Sequence, residues 1–194
     1  MKTLLLFLLT LCVLAAGQSV SAQRYLPRQI GLQLTGGMVD GMLLRDRHLA
    51  RRFHAGMAFS RYNRNQSRWI VGADYLLKDY RYKTERVPKA QISAEAGYFL
   101  PLISNRGKDI FLSVGLSALA GYEISNGGSK RLSDGAILTH TNAFIYGGVP
   151  ALELETFLCD RVALLLNVRQ RILFGSPIGH FHTLIGFGLK FIIN

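Results

Sequence analysis

Over the last residues of the chain, "HTLIGFGLKFIIN", apolar and polar positions alternate with a period of two. Counting from Phe181, the odd positions Phe181, Thr183, Ile185, Phe187, Leu189, Phe191 and Ile193 are almost wholly apolar. The even positions His182, Leu184, Gly186, Gly188, Lys190, Ile192 and Asn194 mix small, polar and charged residues. Successive side chains of a strand point to opposite faces, so the stretch predicts a strand with one greasy and one mixed face. Lys190 falls on the mixed face.

The same pattern recurs. In "RWIVGADYLLK", Trp69, Val71, Ala73, Tyr75 and Leu77 oppose Gly72, Asp74 and Lys78. In "QISAEAGYFLPLI", Ile92, Ala94, Ala96, Tyr98, Leu100 and Leu102 oppose Gln91, Ser93, Glu95 and Gly97. "IFLSVGLSALAGYE" sets Val114, Leu116 and Tyr122 against Ser113, Ser117 and Glu123, and "AFIYGGVPALELE" sets Phe144, Tyr146, Leu152 and Leu154 against Glu153 and Glu155. "RVALLLNVRQRI" sets Val162, Leu164, Leu166, Val168 and Ile172 against Asn167, Arg169 and Arg171. "IGLQLTGGM" and "FHAGMAFSRY" alternate less cleanly. The total is eight strands of about 9–14 residues, where a membrane-crossing strand needs roughly 9–11 and a soluble strand averages nearer 5–6.

The connections fall at 39–52, 63–67, 79–90, 103–109, 123–141, 157–161 and 173–179, long and short in alternation. Outer-membrane barrels have short periplasmic turns and longer outside loops, so both termini are expected on the periplasmic side. In hydrocarbon an unpaired backbone group has no water to bond, so a spanning sheet must close on itself. The expected fold is all-β: an eight-stranded antiparallel up-and-down transmembrane barrel of the outer-membrane type. Its lumen is filled mainly by side chains. Asp74, Glu95, Glu153, Glu155, Arg169, Arg171 and Lys190 are expected to face inward and pair there as a structural charge network. Near the midplane an Arg or Lys facing lipid would cost about 2–4 kcal/mol. Tyr62, Trp69, Tyr75, Tyr98, Tyr122 and Tyr146, near strand ends, are expected to form interfacial girdles.

The first residues fit export. "MKTLLLFLLTLCVLAAGQSVSA" has Lys2, an apolar run from Leu4 to Ala16 and a small-residue stretch ending Val20-Ser21-Ala22. It reads as a signal peptide over residues 1–22, with cleavage after Ala22 and one barrel domain over 23–194. The other apolar stretches are far shorter than the roughly 20 residues a membrane helix needs. Past the leader Cys159 is the one cysteine, so no internal disulfide is expected.

Charge changes the picture modestly. The chain holds 23 Lys+Arg against 12 Asp+Glu, a net +11. Much of this lies in "LLRDRHLARR" and "KDYRYKTERVPK", whose expected loops can attract lipopolysaccharide phosphates. Beyond Tyr80 and Tyr82 these segments carry no aromatics between their cations, short of the interleaving of single-strand binders, so direct DNA contact is not expected. Candidate chemistry is sparse. His180 and His182 share a face without a third ligand beside them, so no metal is expected. His54 with Ser60, and His140 with Thr141, lack an orienting acid, and no Gly-x-Ser-x-Gly elbow is present. The glycines of "TGGMVDG" and "GFGLKF" lack phosphate-loop spacing and are read as relieving crowding in a curved sheet. No cofactor and no catalytic residue is expected.

The segments "AQRYLPRQIGLQLTGGMVDG", "SALAGYE", "TNAFIYGGVPALELE", "DRVALLLNVRQR" and "GHFHTLIGFGLKFIIN" resemble the TraO family of conjugative-transposon proteins, over essentially the whole chain past the leader. That resemblance implies a component of the conjugative transfer apparatus of Gram-negative mobile elements, with other transfer proteins as partners. It brings no catalytic motif to these positions. Outer-membrane barrels usually finish on an aromatic residue; this chain finishes Ile193-Asn194. The expectation is a structural or anchoring outer-membrane part, in contact with lipid and lipopolysaccharide. The alternatives are a small barrel adhesin or envelope stabiliser and, behind it, a lipid-modifying enzyme.

Overall fold

In the computed structural model, described over residues 28–40, 52–82, 85–125, 142–176 and 179–193, the chain forms eight strands. They are β1 (Ile30–Val39), β2 (Arg52–Tyr62), β3 (Arg68–Tyr82), β4 (Glu85–Ser104), β5 (Ile110–Ser125), β6 (Asn142–Cys159), β7 (Val162–Phe174) and β8 (Phe181–Ile193). Each pairs antiparallel with the next, and β1 pairs with β8 to close the barrel. Closure leaves no edge strand. The signal peptide expected over residues 1–22 lies outside the described residues.

Parity decides which side chains point where. On β8, Phe181 and Phe187 are 67% and 66% exposed, while Lys190 between Leu189 and Phe191 is fully buried. The outer wall carries Val71, Ile92, Leu116, Leu152 and Leu166. The interior is closed by apolar clusters toward both ends. Tyr62, Phe111, Phe157, Ala163 and Ile192 pack toward the turn end. In the loop half Leu119, Ile145, Val149 and Leu173 form one cluster, and Val39, Leu76 and Leu184 form another.

Two expectations are corrected. The connection expected at 79–90 is mostly ladder: β3 and β4 stay in register as far as Tyr82↔Glu85, leaving only residues 83–84 between them. Backbone pairing needs no apolar face, so alternation stops before the ladder does. Tyr62 is not in a girdle. It shares the parity of His54 and Ser60, and it is 1% exposed inside the barrel. The other five aromatics lie on the outer wall. Trp69 packs on Tyr98 at the turn end, ring centroids 4.8 Å apart. At the loop end Tyr75 meets Phe53, and Tyr122, Phe144, Tyr146 and Phe174 form a continuous series.

Glycine is required where β1 meets β8. Gly37 faces Gly186 across the seam. A methyl group on Gly37 would overlap the Ile185 carbonyl oxygen and come within 2.5 Å of Gly186 Cα and 2.8 Å of His54 Nε2.

Candidate functional site

Among the described residues, chemistry-bearing side chains converge in the barrel interior, and strand parity puts them there. Near the turn end, Lys190 Nζ donates to Glu155 Oε2 at 2.7 Å and to the Tyr62 hydroxyl at 2.8 Å, and lies 3.7 Å from Glu153 Oε1. The Tyr62 hydroxyl donates in turn to Glu155. Arg68 enters the same group, paired with Glu153 and 3.5 Å from Glu155 Oε2, with its guanidinium 4.9 Å from the centre of the Phe99 ring.

At mid-height Arg169 forks onto Asp74. Its Nη2 lies 3.0 Å from Oδ1 and its Nη1 3.1 Å from Oδ2, and Nη1 also donates to Glu95 Oε2 at 3.3 Å. Arg171, two residues on and on the same face, lies 3.4 Å from Asp74 Oδ2. His54 Nδ1 sits 3.4 Å from Arg169 Nη2. Higher, Lys89 Nζ contacts Glu123 Oε2 at 2.8 Å and Ser176 Oγ at 3.0 Å, and Gln91 Nε2 donates to the same Glu123 oxygen at 3.1 Å.

The expected network residues therefore fall into two groups: Glu153, Glu155 and Lys190 in one, Asp74, Glu95, Arg169 and Arg171 in the other. The expected network lacked Asp40, Tyr62, Arg68, Lys78, Lys89 and Glu123. Glu123 was legible as inward by parity. Arg68 and Lys89 sit where alternation begins or has faded.

Among the described residues the interior is charge-balanced. Arg68, Lys78, Lys89, Arg169, Arg171 and Lys190 stand against Asp40, Asp74, Glu95, Glu123, Glu153 and Glu155. Six cations and six carboxylates cancel, so the net +11 of the chain lies outside this set. One small space of about 30 Å³ lies beside the mid-height group, lined by Gln33, Asn167 and Arg169 among others. That holds one or two waters.

The other candidate pairs separate. His54 and Ser60 face inward from the same strand but six residues apart, roughly 20 Å at strand rise. Ser60 donates to the Gly31 carbonyl at 3.2 Å instead. His140 and Thr141 lie outside the described residues. His180 Nδ1 is 3.1 Å from the Leu173 carbonyl, while His182 Nδ1 is 2.7 Å from Asp40 Oδ2. Among the described residues no three His, Cys, Asp or Glu side chains are placed to share a metal ion.

Asp40 bolts the seam at the loop end. It follows β1 in the left-handed conformation, φ 46°. Its Oδ1 accepts the Thr183 N–H at 2.6 Å and its Oδ2 accepts Lys78 Nζ at 2.7 Å, so one carboxylate ties β1, β3 and β8. Burial raises the Asp40 pKa, but hydrogen bonds from His182, Lys78 and the Thr183 backbone outweigh it and hold the carboxyl below its usual range. A lowered folded-state pKa contributes stability that is complete above the unfolded value, about pH 4, and fades as pH falls toward the folded value. Asp40→Asn should therefore lower unfolding free energy by about 1–3 kcal/mol at neutral pH. The gap from the parent should close in strong acid, as read by denaturant titration in micelles.

The profile described as conjugative transposon protein TraO matches residues 26–193. Sequence comparison with curated proteins finds no match. Among solved structures, the chain is similar to Neisserial surface protein A, at 11% identity and a TM-score of 0.50, over 84% of this chain and 95% of that one. Ail, the attachment invasion locus protein of Yersinia pestis, solved in complex with the heparin analogue sucrose octasulfate, aligns at 10% identity and a TM-score of 0.51, over 85% and 97%. The N-terminal β-barrel domain of Pseudomonas aeruginosa OprF aligns at 8% identity and a TM-score of 0.50, over 86% and 98%. At these identities the likeness is one of fold.

Proposed function

The chain belongs to the conjugative transposon protein TraO family, and from that premise we propose that it is a structural, anchoring component of a conjugative DNA-transfer apparatus in the outer membrane. The observation that carries this reading is the pairing of an apolar outer wall with a charge-balanced, apolar-capped interior. A wall bearing Phe181, Phe187 and Leu116 suits hydrocarbon. An interior in which Arg169 is committed to Asp74 and Lys190 to Glu155 suits a fixed plug rather than a conduit for DNA. No step of chemistry is assigned to it. Asp74, Glu95, Glu153, Glu155, Arg169, Arg171 and Lys190 act as internal ties. What the barrel contributes to transfer is its membrane position and the turns and loops it presents to other transfer proteins and to lipopolysaccharide.

Deleting the gene in a donor is expected to lower transfer frequency without changing donor growth, with recovery when the full chain is supplied in trans. Unchanged transfer would overturn the assignment to the apparatus. A second reading, a surface adhesin, draws on the cations outside the lumen. In the same experiment it expects intact transfer and reduced attachment of cells to surfaces.

A further inference from the structure

The turn end of the barrel carries a ring of cations whose placement suits one kind of partner. Three turns close this end, at Asn63–Ser67, Asn105–Asp109 and Asp160–Arg161, and the chain enters β1 beside them. Each position supplies exposed positive charge: Arg28 at the entry, Arg64, Arg106 with Lys108, and Arg161. The carboxylates among these turns are Asp109 and Asp160. None of the five cations has an ion-pair partner among the described residues. They contrast with the six interior cations, each lying within reach of a carboxylate.

Each cation also sits just past the last lipid-facing apolar residues of its strand. Ile30, Trp69, Leu102, Ile103, Ile110 and Leu158 are 42–65% exposed on the wall next to them. The turns are short. A five-residue turn reaches out and back, so its tip lies within about 8 Å of the strand ends. The headgroup layer is roughly 5–8 Å thick on each side of a bilayer. Long cationic side chains at that boundary lay their stems on the apolar wall and their charged ends among headgroups. A protein partner would be served by charge gathered on one side; these charges are spread around the circumference.

We propose that Arg28, Arg64, Arg106, Lys108 and Arg161 form a collar that binds the phosphates of anionic phospholipid headgroups in the leaflet at the turn end, selecting such lipids from neutral ones and fixing the depth of the barrel. The collar rests on the outer-membrane reading above, and its test separates the two. The full chain without its leader is refolded into vesicles of phosphatidylcholine alone or mixed with phosphatidylglycerol. Insertion is scored by heat-modifiable migration, and the lipid retained after mild extraction is measured by native mass spectrometry. R28Q/R64Q/R106Q/K108Q/R161Q is carried alongside. The parent should retain phosphatidylglycerol over phosphatidylcholine by at least about fivefold, the effect of one surface cation beside an anionic membrane. That preference should disappear in the variant and in 1 M salt, where screening shortens to about 3 Å. Insertion of both proteins with equal retention of the two lipids overturns the collar alone. Failure of the parent to insert into either vesicle overturns the membrane reading and the collar with it. Poly-glutamate bound through these cations, with no lipid preference, would assign them to an acidic polypeptide and end the proposal.

Discussion

Replacing Lys190 with methionine should lower the unfolding free energy by about 3–5 kcal/mol, the cost of stripping the partner from a buried charge. Lys190 has no exposed surface, and its ammonium is the closest cation to Glu155, 2.7 Å from Oε2. Arg68 lies 3.5 Å from the same oxygen and is already committed to Glu153. Without Lys190, two carboxylates share one guanidinium in a lumen capped by Phe111, Phe157 and Ile192. Methionine nearly fills the space, so the loss reports charge rather than a cavity. The double variant Lys190→Met with Glu155→Gln restores the balance and should recover most of the stability. Urea titration of the refolded barrel in micelles measures both. A single-variant cost below about 1 kcal/mol, the scale of an exposed pair, would mean that the layer is hydrated and the interior is not a sealed plug.

Lys190 also shows how far the sequence carries. Its inward direction follows from the parity of "GFGLKF", because one residue of slip would put the ammonium in the wall with Phe187 and Phe191. The same reasoning places Glu153 with Glu155 and Arg169 with Arg171 on inner faces. Parity gives a face, however, and not a height or a partner. That Arg169 meets Asp74 from β3, while Lys190 meets Glu155 from β6, depends on strand tilt and closure, which no local pattern encodes. Tyr62 illustrates the cost of setting parity aside: an aromatic at a strand end looks interfacial, yet its even position on β2 turns it toward Glu155. Lys89 was hidden because β3 and β4 keep pairing as far as Tyr82 and Glu85, where greasy and polar positions no longer alternate. Asp40 had no strand to give it a face at all; its role comes from β1 and β8 meeting, a contact between the two ends of the chain.

The seam explains why the ends of the barrel need such ties. β1 and β2 span 10 and 11 residues, against 20 and 18 for β4 and β6. The short side has fewer ladder bonds to hold register, and its inner face at Gly37 and Gly186 carries no side chains to interlock. Asp40 near the loops and Lys190 near the turns join elements on both flanks of that gap: Asp40 ties β1 to β3 and β8, while Lys190 ties β8 to β2 and β6. The charged interior thus supports closure at the place where backbone pairing and side-chain packing are thinnest.

Phe187→Arg should cost about 2–4 kcal/mol in a bilayer, whereas Ile193→Arg on the same strand should cost about 0–1 kcal/mol. Phe187 is central on β8 and 66% exposed; Ile193 is the last residue of the strand, 48% exposed, at the turn end. Both point outward with the same parity, so they differ chiefly in depth. In hydrocarbon a guanidinium near the midplane must drag water inward or stretch to the interface, while one at the rim is already among headgroups. Around a barrel bathed in water, neither substitution would bury a charge, and replacing exposed phenylalanine with arginine would be close to neutral. Refolding titrations of the parent and both variants in phosphatidylcholine vesicles therefore give two different patterns. A penalty that grows from Ile193 to Phe187 requires lipid against this wall. Equal and small effects at the two positions would mean that the apolar wall meets something other than a bilayer, and the outer-membrane assignment would not survive them.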